Sequence, residues 1–158
     1  MARDDVALAA VVEQSAAVLT AAGFPKLPAR ILMTLLVTEG EGMTAGELGD
    51  ALNASAAAIS GAVRYLQTVG IVRRVAQPGS RRDRYELPDN AWVKTMDAER
   101  PIYGVLASFA EAAVVAIDDP TSAGSLRSAD MAAFYRFLAE RLPQLIEEWN
   151  ELRKGNPG

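Results

Sequence analysis

The most informative part of this sequence is residues 44–87, TAGELGDALNASAAAISGAVRYLQTVGIVRRVAQPGSRRDRYEL. Thr44 and Glu47 have the spacing of a capping box, in which the threonine hydroxyl accepts from the Glu47 backbone N–H and the carboxylate reaches back. An apolar face follows at helical spacing, formed by Leu48, Ala51 and Leu52. The pattern predicts a short helix that begins just after Thr44.

A second helix is predicted directly after the first. Asn53 breaks the first helix, since asparagine tolerates the left-handed conformation that a tight turn needs. Ser55 is a suitable N-cap for the next helix, which ends near Gly70. Its inward-facing stripe is Ile59, Val63 and Leu66. Two short helices joined by such a turn form a helix-turn-helix.

Two strand-like segments follow, at 71–76 and 82–87. Between them, Pro78 presets the first central residue of a turn and Gly79 supplies the positive φ of the second. A β-hairpin directly after a helix-turn-helix is the wing of a winged helix. The predicted fold is therefore mostly α-helical with a small β-hairpin wing. The wing tip is predicted to carry Arg81, Arg82 and Arg84.

Charge is distributed unevenly along the chain. The whole sequence has 16 basic and 20 acidic residues, a balance that by itself argues against a nucleic-acid partner. Residues 64–84 nevertheless hold six arginines against one acid, Asp83. A basic stripe on an acidic body is typical of a protein that binds double-stranded DNA through one face. The alternative is that these arginines only solvate the hairpin.

The composition excludes several classes of chemistry. The chain has no cysteine and no histidine, which rules out disulfides, thiolate metal sites and nucleophilic catalysis with a histidine base. Its lysines, Lys26, Lys94 and Lys154, belong to no catalytic constellation. We therefore predict that the protein is not an enzyme, with no catalytic residues, no cofactor and no metal.

The N-terminal residues do not resemble a secretory signal, because Asp4, Asp5 and Glu13 interrupt the apolar run. No stretch approaches the ~18 uninterrupted apolar residues that a membrane span needs. We expect a cytoplasmic protein with no membrane partner.

Further helices are predicted on both sides of the winged helix, at 4–22, 28–39, about 101–117 and from near Ser128 to about Arg153. The helix at 101–117 is predicted to carry Ile102, Leu106, Phe109 and Ala113 on one face. The resulting organisation is an N-terminal dimerisation helix (1–22), a DNA-binding winged helix-turn-helix (23–90) and a C-terminal helical dimerisation region (91–158).

The last predicted helix carries an apolar seam whose members are alternately four and three residues apart. Such a seam must be buried against another helix: either helix 4–22 of the same chain or a second copy. We favour a homodimer, since a single winged helix rarely reads enough DNA alone. Pro143 within it predicts a kink. This heptad seam consists of Met131, Tyr135, Leu138, Leu142, Leu145, Trp149 and Leu152.

The sequence resembles the MarR superfamily of bacterial winged-helix regulators, and within it the GbsR-like branch. The resemblance covers nearly the whole chain, through segments 23–32, 44–48, 55–66, 70–72 and 78–85 and the aromatic residues from Phe134 to Trp149. It implies a dimeric transcriptional regulator whose terminal helices form the dimer and whose second motif helix enters the major groove. The wing departs from the commonest MarR pattern, because Arg81 and Arg82 precede Asp83 here.

On the predicted reading helix, Ala57, Gly61 and Arg64 face outward with Ser60 beside them. Alanine and glycine let the backbone approach the groove, and Arg64 is the one long donor for guanine or phosphate. Such a surface predicts modest direct readout and more reliance on DNA shape. Thr44 and Ser55 stand at helix N-termini, which favour phosphate. The predicted DNA-contacting residues are Thr44, Ser55, Ala57, Ser60, Gly61, Arg64, Arg81, Arg82 and Arg84.

The resemblance also implies a small-molecule effector, held between the dimer helices and the DNA-binding lobe. Candidates to line its pocket are Trp92, Tyr103, Phe109, Phe134 and Tyr135, although aromatic residues at such spacing more often form core. The competing function is a protein-interaction module that uses the winged helix only as a scaffold. Such a module has no need of an arginine-rich wing.

Overall fold

The computed structural model describes residues 4–95 and 102–155, which fall into two compact units, Met1–Thr95 and Met96–Gly158. The elements of the first unit are α1 (Asp5–Ala21), α2 (Lys26–Leu36), β1 (Met43–Thr44), α3 (Ala45–Leu52), α4 (Ala56–Thr68), β2 (Arg73–Val75), β3 (Arg84–Glu86) and α5 (Ala91–Thr95). Those of the second unit are α6 (Ile102–Ile117) and α7 (Ala123–Gly155). The mostly helical architecture with a small hairpin confirms the predicted fold class.

The core of the first unit lies where α2, α3 and α4 meet. Ile31, Leu48, Ile59 and Leu66 are fully buried there, and burial of each such side chain contributes about 1.5–3 kcal/mol to folding. The inward stripe predicted for α4 is confirmed, with Ala62 buried as well. The prediction that Ala51 shares the apolar inner face of α3 is wrong, because Ala51 is exposed. Only Leu48 and Leu52 of that helix enter the core.

Local hydrogen bonds fix the ends of the two motif helices as the sequence predicts. The Thr44 hydroxyl accepts from the Glu47 backbone N–H at 3.2 Å, and the Glu47 carboxylate accepts from the Thr44 N–H at 2.7 Å. Asn53 ends α3 in the left-handed conformation, with φ of 51°. The Ser55 hydroxyl accepts from Ala58 N–H at 3.2 Å. These contacts form the capping box, the turn and the second cap of a helix-turn-helix.

The wing, residues 73–86, is part of an antiparallel sheet in the order β1-β3-β2. Strand β1 pairs with β3 through Met43 opposite Tyr85 and Thr44 opposite Arg84. The predicted turn is present: the backbone N–H of Ser80 donates to the Gln77 carbonyl at 3.2 Å, and Gly79 has φ of 78°. Strand β1 is only two residues long and has no local sequence signal.

Gly42 permits the close approach of β1 to β3. Its φ is 81°, and a β-carbon placed on it would overlap the Tyr85 carbonyl oxygen and lie 2.8 Å from Glu86 Cβ. No other residue type fits this backbone without displacing β3. The pairing of β1 with β3 therefore depends on this glycine.

In the second unit, α6 packs along α7 through small side chains. Ala107 and Ala110 of α6 and Ala132 of α7 are buried, so the helix backbones can lie close together. The Arg136 guanidinium donates to both carboxylate oxygens of Glu111, each at 2.8 Å, and links the two helices on their exposed side.

The face of α6 that carries Ile102 and Phe109 is not the side packed on α7: both side chains are exposed, and buried alanines make the contact. One sequence prediction about these helices is wrong. Helix α7 begins at Ala123 rather than near Ser128, since the Ser122 hydroxyl accepts from Ser125 N–H at 3.2 Å and caps it earlier. The helix continues through Pro143 and has 33 residues in all, a length of about 50 Å. Among the helices that the structure describes, none is long and apolar enough to cross a membrane.

Candidate nucleic-acid interface

The outer face of α4 is built from small side chains around one arginine. Ala57, Ser60, Gly61 and Arg64 are all exposed, on the side opposite the buried Ile59. Ser55, also exposed, lies at the N-terminus of the same helix, where the helix dipole favours an anion. The structure therefore brings together on one helix five of the nine predicted DNA-contacting residues.

The arginines of residues 64–84 fall into two groups. Arg73 pairs with Glu86, Arg74 with Asp83 and Arg84 with Glu47. The other three, Arg64, Arg81 and Arg82, form no ion pair within residues 4–95 and 102–155. Two of the three paired acids, Glu47 and Glu86, lie outside residues 64–84. The excess of positive charge on this surface is therefore smaller than the charge count of residues 64–84 indicates.

The tip of the wing presents Arg81 and Arg82, both exposed. The Ser80 hydroxyl accepts from the Arg82 backbone N–H at 3.0 Å and holds this turn in a defined shape. Arg82 is also close enough to Glu47 to act on its carboxylate electrostatically. The tip therefore carries two long cationic side chains on a backbone that is fixed by its own hydrogen bonds.

Arg84 and Thr44, also predicted to contact DNA, lie elsewhere. Arg84 is on β3, with its side chain only 25% exposed, and one of its terminal nitrogens donates to the Gly42 carbonyl at 2.8 Å and to Glu47 at 3.3 Å. Thr44 is buried in β1, and its hydroxyl already accepts from Glu47. Neither side chain belongs to the exposed surface formed by α4 and the wing tip.

Glu47 has a lowered pKa. The main cause is the hydrogen bond that its carboxylate accepts from the Thr44 backbone N–H, and the positive charge of Arg84 adds to it. Both interactions favour the ionised carboxylate. At neutral pH this side chain is therefore an anion at the first turn of α3.

The heptad seam is divided between buried and exposed residues. Leu142 is buried and Tyr135 and Leu138 are partly buried, whereas the other members remain open to solvent. More large apolar side chains of α7 are exposed beside them. The exposed apolar residues of α7 are Leu126, Met131, Phe134, Phe137, Leu145, Trp149 and Leu152.

The aromatic residues predicted to line an effector pocket are divided between the two units. Trp92 lies in the first unit, at a surface pocket of about 350 Å³ that Leu35, Arg73 and Asp89 also line. In the second unit, Tyr103 stacks on Tyr135 with ring centroids 6.0 Å apart, and Phe134 meets Tyr135 edge to face at 5.5 Å. Phe109 is 69% exposed.

Sequence reasoning missed one further arginine that shapes this region. Arg30 of α2 binds both Glu13 carboxylate oxygens, at 2.7–3.1 Å, and donates to the Leu52 carbonyl at 3.2 Å in the last turn of α3. It joins α1 and α2 to the end of the first motif helix. These partners are 17 and 22 residues distant in sequence, so no local pattern indicates them.

Comparison with known proteins agrees with this geometry. A family model described as MarR family matches residues 22–83, and one described as an MmpR5-like MarR family transcriptional regulator matches residues 90–152. A crystal structure described as that of a transcriptional regulator has a TM-score of 0.79 to this chain, with 26% identity, and covers 91% of this chain and 98% of its own. No curated protein matches the sequence. Two models of one family thus match successive parts of the same chain, which is similar over most of its length to winged-helix transcriptional regulators of the MarR family.

Proposed function

We propose that this regulator binds specific sequences of double-stranded DNA as a homodimer, with α4 in the major groove and the wing tip against the adjacent DNA backbone. The observation that carries the proposal is the outer face of α4, where small exposed residues surround an arginine that has no acidic partner among the described residues. A flat helical surface with one long cationic donor is suited to close approach to a DNA groove.

Gly61 supports this use of α4. A β-carbon at Gly61 would meet nothing within 4 Å, so packing inside the chain does not require glycine here. Glycine in the middle of a helix costs about 1 kcal/mol relative to alanine. A DNA groove that approaches the backbone at this point would account for a residue that the fold itself does not need.

The roles of the remaining side chains follow from their chemistry. Arg64 can donate two hydrogen bonds to one guanine, and the Ala57 methyl can contact a thymine methyl. Ser60 is suited to hydrogen bonds with either a base or a phosphate, and Ser55 to a phosphate at the helix N-terminus. With one long donor per helix, we expect modest direct readout and additional recognition of DNA shape.

The replacement of Arg64 by alanine tests this proposal. Preferred sites are first selected from a random duplex library with the wild-type protein, and binding is then measured by fluorescence anisotropy. We expect Arg64→Ala to lose about 1–3 kcal/mol of discrimination at one base pair of each half-site, while Gln67→Ala, an exposed change one turn along α4, leaves it intact. Weak binding by the wild-type protein that is equal for all duplexes and unchanged in Arg64→Ala would favour the interaction module instead.

For the dimer, the exposed apolar side chains of α7 are the supporting observation. Leu145, Trp149 and Leu152 are each at least half exposed, and such a row on one helix is costly in water unless a partner covers it. We propose that a second copy of the chain covers it through the same seam, as closed two-fold symmetry requires. The N-terminal helix α1, with Val6, Val11 and Val18 exposed, is the second proposed contributor.

A pair of charges in the seam is expected to separate the subunits. Leu145→Glu/Trp149→Glu would place two unpaired carboxylates in the proposed interface, each at a cost of several kcal/mol. Analytical ultracentrifugation should show a monomer for this variant and a dimer for Ala129→Glu/Ala133→Glu, which adds the same charge on the opposite side of α7. A wild-type monomer, or a dimer that both variants retain, would contradict this interface.

Two finer assignments remain proposals. We propose that a small molecule modulates DNA binding, with Trp92 or the Tyr103–Tyr135–Phe134 cluster as its contacts. A metabolite that raises the unfolding temperature and changes the affinity for DNA would support this role. The sequence resemblance to the GbsR-like branch also stays a prediction, and the model that matches the C-terminal part is described as MmpR5-like. We expect no catalytic activity, and a location in the cytoplasm with the DNA.

A further inference from the structure

Arg84 connects the wing to the first helix of the helix-turn-helix. From β3, one terminal nitrogen of its guanidinium donates to the Gly42 carbonyl at 2.8 Å and to the Glu47 carboxylate at 3.3 Å. Gly42 directly precedes β1, and Glu47 is in the first turn of α3. A single side chain of the wing therefore reaches both sides of the segment that enters α3.

The two acceptors are themselves part of the local architecture. The Glu47 carboxylate also accepts from Thr44 N–H as half of the capping box, and Thr44 faces Arg84 across the β1–β3 pairing. Strands of two or three residues are marginal by themselves. A charge-assisted contact between the sheet and the helix cap adds a restraint that the short backbone ladder cannot provide.

Use of Arg84 as a DNA ligand would break this arrangement. Its side chain is only 25% exposed, and movement toward a phosphate would leave the Gly42 carbonyl without this donor and remove the cation from Glu47. Arg81 and Arg82, at the tip, make no comparable contacts. Both are exposed, and neither side chain forms a hydrogen bond in the described part of the chain.

We propose that Arg84 is a positioning residue, which holds the wing against the N-terminus of α3 and makes no contact with DNA. The Glu47 carboxylate and the Gly42 carbonyl are its acceptors. The claim about DNA rests on the proposed function, whereas the link between wing and helix does not.

The first measurement is a double-mutant cycle in urea unfolding, without DNA. Glu47→Gln is the matched change, because glutamine retains the acceptor that the capping box needs but removes the charge. We expect Arg84→Ala and Glu47→Gln to be coupled by about two- to fivefold in the unfolding equilibrium constant. The control cycle of Arg81→Ala with Glu47→Gln should be additive. Additivity in both cycles would overturn the proposal.

The second measurement is DNA affinity across a salt series. Loss of one phosphate contact lowers the slope of log affinity against log salt by about 0.9. We expect Arg81→Ala to show that loss once for each subunit of the proposed dimer, about 1.8 in total, and Arg84→Ala to weaken binding to the selected site about tenfold with the wild-type slope. An equal loss of slope in both variants would overturn the positioning role.

The two measurements separate this inference from the proposed function. A wild-type chain that binds no DNA would refute the proposed function, and the unfolding cycle would then decide the link between wing and helix by itself. A chain that binds DNA but shows no coupling between Arg84 and Glu47 would retain the proposed function and lose this inference.

Discussion

Replacement of Gly42 by alanine is expected to destabilise the first unit by about 3 kcal/mol. The positive φ of 81° alone costs a residue with a side chain about 1–2 kcal/mol. The added methyl group would also overlap the Tyr85 carbonyl oxygen, so β3 must shift away from β1 and lose its backbone pairing. Urea unfolding followed by circular dichroism measures the difference in free energy.

Gly40→Ala is the matched control for this prediction. Gly40 has nearly the same φ, 83°, but a β-carbon there would meet nothing within 4 Å. The free energy of unfolding of this control should fall only by the cost of the positive φ, about 1 kcal/mol. Equal losses in the two variants would show that the contact between the Gly42 segment and β3 contributes nothing to stability.

Removal of the two wing-tip arginines is expected to have the largest effect on DNA binding. Arg81→Ala/Arg82→Ala should lower the affinity of the dimer for a selected site about 10,000-fold, since each of two wings loses two hydrogen bonds from charged groups, at about 1.5 kcal/mol each. The four lost phosphate contacts should also lower the salt slope by about 3.6. Fluorescence anisotropy between 50 and 300 mM salt, about the range over which such slopes are clear, measures both.

Arg127→Ala/Arg153→Ala provides the control for net charge. It removes the same number of exposed arginines from α7 in the second unit, and its salt slope should equal that of the wild type. If both pairs reduced affinity equally, DNA would respond to the net charge of the chain rather than to the wing. Unchanged binding without Arg81 and Arg82 would place the DNA contact elsewhere.

The helix-turn-helix could be predicted from sequence because its signals are local. Thr44 and Glu47 are three residues apart, Ser55 caps the helix that follows it, and Asn53 ends the previous helix in the conformation that its residue type favours. The same holds for Gly79 in the wing turn. Each contact closes within a few residues, so residue type and spacing contain the information.

The arrangement of the arginines could not be predicted in the same way. Arg84 reaches Glu47 and Gly42 across 37 and 42 residues, and Arg73 and Arg74 meet their acids only where β2 pairs with the return strand of the wing. A count of charges along the chain therefore overstated the basic surface. Which of six arginines are available for DNA is a property of the folded sheet.

The second unit shows a different limit of sequence periodicity. An apolar pattern gives large side chains the most weight, and on α6 it picks out the face with Phe109. The structure leaves Phe109 exposed and buries Ala107 and Ala110, because close packing of two helix backbones favours small residues. The start of α7 was displaced for a related reason, since Ser122 and Ser128 are equally good caps on residue type alone.

The internal pairing of Arg73, Arg74 and Arg84 has a consequence for how the regulator locates its target. Attraction to arbitrary DNA grows with the number of phosphates that a protein neutralises, and three of the six arginines are already neutralised by carboxylates of the chain. Under the proposed function, arbitrary DNA therefore retains the protein less strongly than six unpaired arginines would, and a larger share of the molecules is free to reach a preferred site.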